Sequence, residues 1–208
     1  MDVNGKRVLI CHVGSIGKAI WARFEDAGAT LGEFVHGDSI PHGEVDIAIC
    51  TSGRMLIQHP QTVWESAVAE MLHLNYIIPR VFTEYMLAAG EKLVIHIGSN
   101  SARYGKSYAE DYAAAKSALA KYCEIRGALA SKENGARITY INLGGVNNVF
   151  WDHVCGAPGF DSDVAANLIP AEGKGLTNAE VAELVLAICL LPENVCVKDL
   201  LVVAKAYQ

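Results

Sequence analysis

Six short, nearly unbroken apolar runs, most of them separated by segments of helical periodicity, constrain this chain more than any other feature. The runs are Lys6 to Cys11, Leu31 to Val35, Val45 to Cys50, Leu93 to Ile97, Arg137 to Leu143 and Leu200 to Val203. Strands that are apolar on both sides must be covered on both faces, which implies a parallel sheet crossed over by helices. The helical segments run from Ser15 to Ala27, Thr62 to Leu72, Tyr76 to Ala89, Tyr108 to Lys132 and Asn178 to Leu190. The first places Ile16, Ile20, Trp21 and Phe24 at helical spacing and ends at Gly28. Pro79 falls in the first turn of the third, where proline is tolerated. No repeat, low-complexity segment or linker divides residues 1–208, so the pattern predicts a single α/β domain with a doubly wound parallel sheet.

Bulk chemistry excludes several classes of function. At 208 residues, 51% hydrophobic and 19% charged, the chain can bury a sizeable core. Seventeen basic against 23 acidic residues give a net charge of −6 without a Lys/Arg cluster, which argues against nucleic acid or an anionic membrane as partner. The amino terminus lacks the pattern of a secretory signal. The apolar stretch from Val181 to Leu191 is interrupted by Glu183 and too short to span a bilayer. Six cysteines show no C-x-x-C pair, the pattern of reduced thiols in a cytoplasm-like compartment. Seven histidines form no metal-ligand spacing, so no metal site is expected.

In sheets of this kind ligands bind beyond the carboxyl ends of the strands. After the first strand come Gly14, Ser15, Ile16 and Gly17, opening a helix whose amide groups and dipole can face a pyrophosphate. Gly17 also permits close helix-strand packing. An ordinary strand-to-helix turn is the competing reading, because Cys11 stands where a G-x-x-G-x-x-G turn has its first glycine.

Tyr112 and Lys116 lie four apart on the long helix and so share a face. A phenol serves as a base near neutrality only if its proton is loosened, and a neighbouring ammonium favours the phenolate. Eight tyrosines give about 0.4 such Y-x-x-x-K pairs by chance, so the pair alone means little. Ser99, thirteen residues earlier and just after a strand, adds a hydroxyl that could hold a carbonyl oxygen.

With these residues the chain resembles the short-chain dehydrogenases/reductases over nearly its whole length. Ser99, Tyr112 and Lys116 fit the family's S-x12-Y-x-x-x-K pattern, and Asn75 falls where it has a catalytic asparagine. Ile49 to Gly53 resembles its N-N-A-G segment, keeping Gly53, and Asn142 to Gly145 resembles its strand ending in Pro-Gly. The resemblance implies a Rossmann-type fold and hydride transfer between a nicotinamide cofactor and a small carbonyl or alcohol substrate. Tyr112 would exchange the proton, Lys116 would lower its pKa and bind ribose, Ser99 would orient the carbonyl, and Asn75 would hold a water. The cofactor would lie against Gly14, Ser15, Ile16, Gly17, Gly53, Gly145 and Val146.

Three departures from the family pattern concern the cofactor. Cys11 and His12 would crowd the phosphate turn; residues 35–45 are too few for the family's usual helix and strand there; and its threonine after Pro-Gly is missing, with Asn147 or Asn148 in its place. Val35 ends the second strand and His36 stands where NADP-preferring members carry a basic residue, which leans toward NADP(H) over NAD(H). Glu33 and Asp38 weigh the other way; Asp38 stands in for the family's adenine-contacting acid or is a plain polar turn. Residues 150–175 correspond to a substrate lid or to a surface excursion packed on the core, and Arg103 and Tyr104 to substrate contacts or a solvated loop. The competing functions are a non-catalytic dinucleotide-binding or redox-sensing module and, lower in rank, a nucleotide-sugar epimerase, for which too little chain follows Gly145. Apolar residues on more than one face of the long helix, with the family's habit, imply a homodimer or homotetramer.

Overall fold

Alternation along each strand decides which layer a residue joins. A computed structural model of the chain describes residues 2–35, 45–55, 65–105, 109–150 and 174–205. Its strands are β1 (Arg7–Cys11), β2 (Thr30–Phe34), β3 (Ile47–Cys50), β4 (Leu93–Ile97), β5 (Arg137–Leu143) and β6 (Asp199–Val202). All pair in parallel in one sheet of order β2-β1-β3-β4-β5-β6. The helices are α1 (Ser15–Asp26), α2 (Glu65–Leu72), α3 (Ile78–Ala88), α4 (Glu110–Glu133) and α5 (Asn178–Cys189). This is the doubly wound parallel architecture that the apolar runs predict.

Val8, Ile10, Ile49, Ile95 and Ile141 point to one face, where Ile20 and Phe24 of α1 meet Val181, Val185 and Ile188 of α5. Leu9, Cys11, Ala48, Cys50, Val94 and Tyr140 point to the other, against Phe82 and Met86 of α3 and Leu119 and Cys123 of α4. One row of the second face crosses the sheet near its carboxyl end. Strand register sets Phe34 beside Cys11, Cys11 beside Cys50, Cys50 beside His96 and His96 beside Tyr140. The strand order reverses at β1, with β2 on one side and β3 on the other, so the crevice for a ligand opens above β1 and β3.

The two helices predicted over Thr62 to Leu72 and Tyr76 to Ala89 are joined rather than separated. Residues 73–77 form a π-turn in which the Ile78 N–H bonds the His73 carbonyl five residues back. Pro79 supplies the reason: without an N–H it cannot bond the Asn75 carbonyl, and its ring crowds that carbonyl in an ordinary α-turn. The widened turn relieves both and keeps Asn75 buried. Residues 62–64 of the predicted helix, Tyr108, Cys155, the stretch 36–44 with His36 and Asp38, and 151–173 of the lid lie outside the described residues.

α1 carries the phosphate turn at its head, and its anchor is Phe24, completely buried between the sheet and α5. Phe24→Ala is expected to cost about 3–5 kcal/mol, read from urea unfolding monitored by circular dichroism.

Candidate active site

The chain leaves β1 through a left-handed residue, and that residue is His12, at φ 60. The position that would welcome glycine is therefore His12, not Cys11 as the spacing suggests. Cys11 is the last residue of β1, and its thiol is buried beside Cys50 on the α3/α4 face, so it does not crowd the crevice. Thr51 steadies the turn: its hydroxyl donates to the carbonyls of Cys11, at 3.1 Å, and of His12. Gly17 sits so close that a Cβ there would stand 3.0 Å from the Thr51 hydroxyl and 3.2 Å from the His12 carbonyl. A Cβ at Gly14, the N-cap of α1, would meet no protein atom within 4 Å. The Glu33 carboxylate accepts from the Val13 N–H at 3.1 Å, which places an acid from the end of β2 against this turn.

A cleft of about 960 Å³ opens over the strand ends. From the turn, Gly14, Ser15, Ile16 and Gly17 line it; from β3, Gly53; from β5, Gly145 and Val146. Ser99, Tyr112 and Lys116 line its other wall. Asn75 sits immediately behind Gly53. Of the residues flagged around them, Tyr104 and Asn148 also line the cleft. Arg103 is drawn to Asp199 at the start of β6, forming an ion pair there.

Ser99 follows β4 in extended conformation and caps a short 3-10 turn, its hydroxyl accepting from the Ser101 N–H at 3.1 Å. Tyr112 and Lys116 are buried one turn apart on α4. The Lys116 ammonium donates to the Ser52 carbonyl at 3.3 Å and lies 5.8 Å from the centre of the Tyr112 ring. Lys116 Nζ would be 2.6 Å, and Asn75 Oδ1 2.9 Å, from a Cβ at Gly53, so both converge on that glycine because it has no side chain. The Asn75 amide is otherwise spent on backbone, donating to the carbonyls of Arg54 at 2.7 Å and Met71 at 3.0 Å and accepting from the Arg54 N–H at 3.2 Å.

Burial governs both titrations. It pushes the Tyr112 phenol up to about 12, and only the Ser99 hydroxyl pulls it back. It pushes Lys116 down to about 8, against the pull of the neighbouring Cys50 and Cys123 thiols. Burial rather than the Lys116 ammonium thus sets the direction of the Tyr112 shift. Phe150 packs over it, ring centres 6.5 Å apart, and shields it from one side. No motif marks Gly98, which lines the cleft and where a Cβ would stand 2.2 Å from the Tyr140 ring.

A buried ammonium with a lowered pKa costs stability while it is charged. Lys116→Met should stabilise the fold at neutral pH by roughly 2 kcal/mol, the ionisation cost less the lost Ser52 hydrogen bond. Unfolded lysine titrates at 10.5, so between about 8 and that value the unfolded chain holds the extra proton and the wild type regains stability as pH rises. The advantage of Lys116→Met, followed by chemical unfolding at several pH values, should shrink across that window.

No protein-family model matches the chain. It is 28% identical over 125 residues to human 17-beta-hydroxysteroid dehydrogenase type 1, a match covering 58% of this chain and 38% of that protein. Solved structures share its backbone. The Thermococcus sibiricus alcohol dehydrogenase complexed with 5-hydroxy-NADP superposes with a TM-score of 0.71 at 17% identity, covering 99% of both chains. An actinorhodin polyketide ketoreductase with NADPH does so at 0.76 and 17%, covering 97% of both. Serine dehydrogenase complexed with NADP+ does so at 0.76 and 17%, covering 95% of this chain and 94% of that one. The chain therefore shares the fold of these dehydrogenases and this ketoreductase, and 125 of its residues also resemble the steroid dehydrogenase in sequence, a match that spans well under half the length of that protein.

Proposed function

We propose that the chain is an NAD(P)-dependent oxidoreductase that interconverts a small carbonyl compound and its alcohol, with Tyr112 as the acid/base group. The observation that carries this reading is the convergence of Ser99, Tyr112 and Lys116 on one cleft that also holds the glycine turn at the head of α1. The site fits a dinucleotide: Gly14 leaves open space at a helix N-terminus, and Gly53 keeps the floor free of side chain. Amides of Gly14 to Gly17 would face the pyrophosphate, Lys116 and Tyr112 the nicotinamide ribose, and Gly145 and Val146 the nicotinamide end. When bound, the nicotinamide supplies or accepts the hydride.

The protein's own part is proton transfer and orientation. In the reducing direction Tyr112 enters protonated and gives its proton to the substrate oxygen, while the Ser99 hydroxyl donates a second hydrogen bond that fixes that oxygen. The phenolate left behind faces the Lys116 ammonium, which steadies it as charge develops. Asn75 holds the Arg54 backbone and flanks Gly53, keeping the Lys116 tip in place. Phe150 excludes water from the phenol. In the oxidising direction Tyr112 must first lose its proton, so alcohol oxidation should climb with pH, while carbonyl reduction stays nearly flat up to about pH 7 and falls as Lys116 loses its charge at about 8.

NADP(H) is the favoured cofactor; the NADP complexes of the structural neighbours support it, whereas the Glu33 carboxylate against Val13 favours a ribose hydroxyl over a 2′-phosphate. A second reading, a dinucleotide-binding module without turnover, draws on the left-handed His12 in the turn. Ile125 and Leu129 on α4 and Tyr85 on α3 are exposed and support a homo-oligomer, which light scattering would test. Among the described residues no helix is long and apolar enough to cross a membrane, and no group of three or more His, Cys, Asp or Glu could hold a metal ion.

Fluorescence titration with NADPH and NADH, followed by oxidation of the bound cofactor against aldehydes and ketones, tests the proposal. Micromolar binding with turnover supports it; binding without turnover across the panel favours the module. Tyr112→Phe should bind NADPH within about twofold of wild type and lose about 10²–10⁴ in kcat.

A further inference from the structure

The geometry points to Tyr140 as a positioning residue for the Ser99–Tyr112–Lys116 set, a role that rests on the reading of those three as the reacting groups. Tyr140 lies on β5 and is 1% exposed, among the largest fully buried side chains of the fold. Its phenol reaches two elements at once. It donates to the Lys116 carbonyl in α4 at 3.2 Å and accepts from the Ser99 N–H at the end of β4 at 3.4 Å. The intrahelical bonds of α4 cannot fix how far the helix stands from β4; a hydroxyl bonded to both elements can.

Two further observations support a role beyond filling space. The ring occupies the room that a side chain at Gly98 would take, with Cζ, Cε1 and the hydroxyl oxygen 2.2 to 2.5 Å from a Cβ there. Gly98 and Tyr140 are thus matched, and the match delivers the phenol to the Ser99 amide. The hydroxyl also has one proton and a short reach, and both are used on the backbone of residues whose side chains line the cleft. The Ser99 hydroxyl in turn is the group that pulls the Tyr112 phenol down against burial. A shift of the Ser99 backbone therefore reaches Tyr112 although Tyr140 itself does not line the cleft.

Packing resides in the ring and positioning in the hydroxyl, so Tyr140→Phe separates them. The probe is the 13Cζ signal of Tyr112 in tyrosine-labelled protein, assigned by its loss in Tyr112→Phe. In Tyr140→Phe that signal should move in the same direction as in Ser99→Ala, and the double variant should move it no further than Ser99→Ala alone. Kd for NADPH should stay within about twofold while kcat for carbonyl reduction falls about tenfold with KM little changed. An unmoved Tyr112 signal in Tyr140→Phe, or full additivity with Ser99→Ala, would overturn the role. If Tyr140→Phe does not fold, hydrogen exchange of the Ser99 amide in the wild type decides: protection equal to the core of β4 supports the tie, and exchange at loop rates refutes it. A wild type that reduces no carbonyl compound would sink the oxidoreductase reading, while the Tyr112 signal still answers for Tyr140.

Discussion

A buried ammonium organises the cleft. Lys116 is 3% exposed, and a charge so placed must be held by dipoles that cannot turn away. The Ser52 carbonyl accepts from it, the Tyr112 ring lies beside it, and Gly53 must have no side chain if its tip is to reach Ser52. Asn75 crowds the same glycine, and the π-turn that Pro79 imposes holds Asn75 there. Elements far apart in sequence are thus fixed by where one amine can stand.

The sheet supplies the rigidity that this arrangement needs. Because β1, β3, β4 and β5 are buried on both faces, their register cannot slip without moving whole rows of side chains into the wrong environment. Ser52 and Gly53 follow β3, Ser99 follows β4, and Gly145 and Val146 follow β5, so strand register sets their relative heights. α4 brings Tyr112 and Lys116 to them from the α3/α4 face. Within that face the Thr83 hydroxyl ties two elements together, bonding His96 of β4 at 2.7 Å and the Pro79 carbonyl of α3 at 2.9 Å.

Much of this was legible in the residues because it depends on local pattern. Apolar runs such as LVIHI mark strands buried on both sides, and the serine spacing to Tyr112 and Lys116 reflects a strand end facing a helix start. What escaped depends on three-dimensional packing. Motif spacing puts the missing first glycine at Cys11, whereas the left-handed residue that follows β1 is His12. The sequence pattern breaks between Leu72 and Tyr76, and a π-turn over His73–Ile77 bridges that break. Arg103 reads in sequence as a substrate contact or a solvated loop residue, and its ion pair with Asp199, nearly a hundred residues on, has no local signature. Tyr140 read only as a strand residue, since no sequence pattern says which glycine a ring will cover.

The departure at the turn shows how such a site tolerates damage to its motif. A non-glycine residue in left-handed conformation costs about 1–2 kcal/mol, which a folded domain can carry if neighbouring bonds hold it. Thr51 does so by bonding the carbonyls on both sides of the Cys11–His12 junction, and the Gly14 N–H bonds the His12 carbonyl at 3.0 Å. The glycines that remain are those whose replacement would strike something fixed or fill the cleft. Gly17 abuts Thr51, Gly53 abuts Lys116, and Gly98 abuts Tyr140. The first glycine of a phosphate turn relieves strain and can be replaced by bonding, whereas a glycine that makes room for a partner's atoms cannot. That asymmetry explains how this chain can lose the one and keep the others without losing the shape of the cleft.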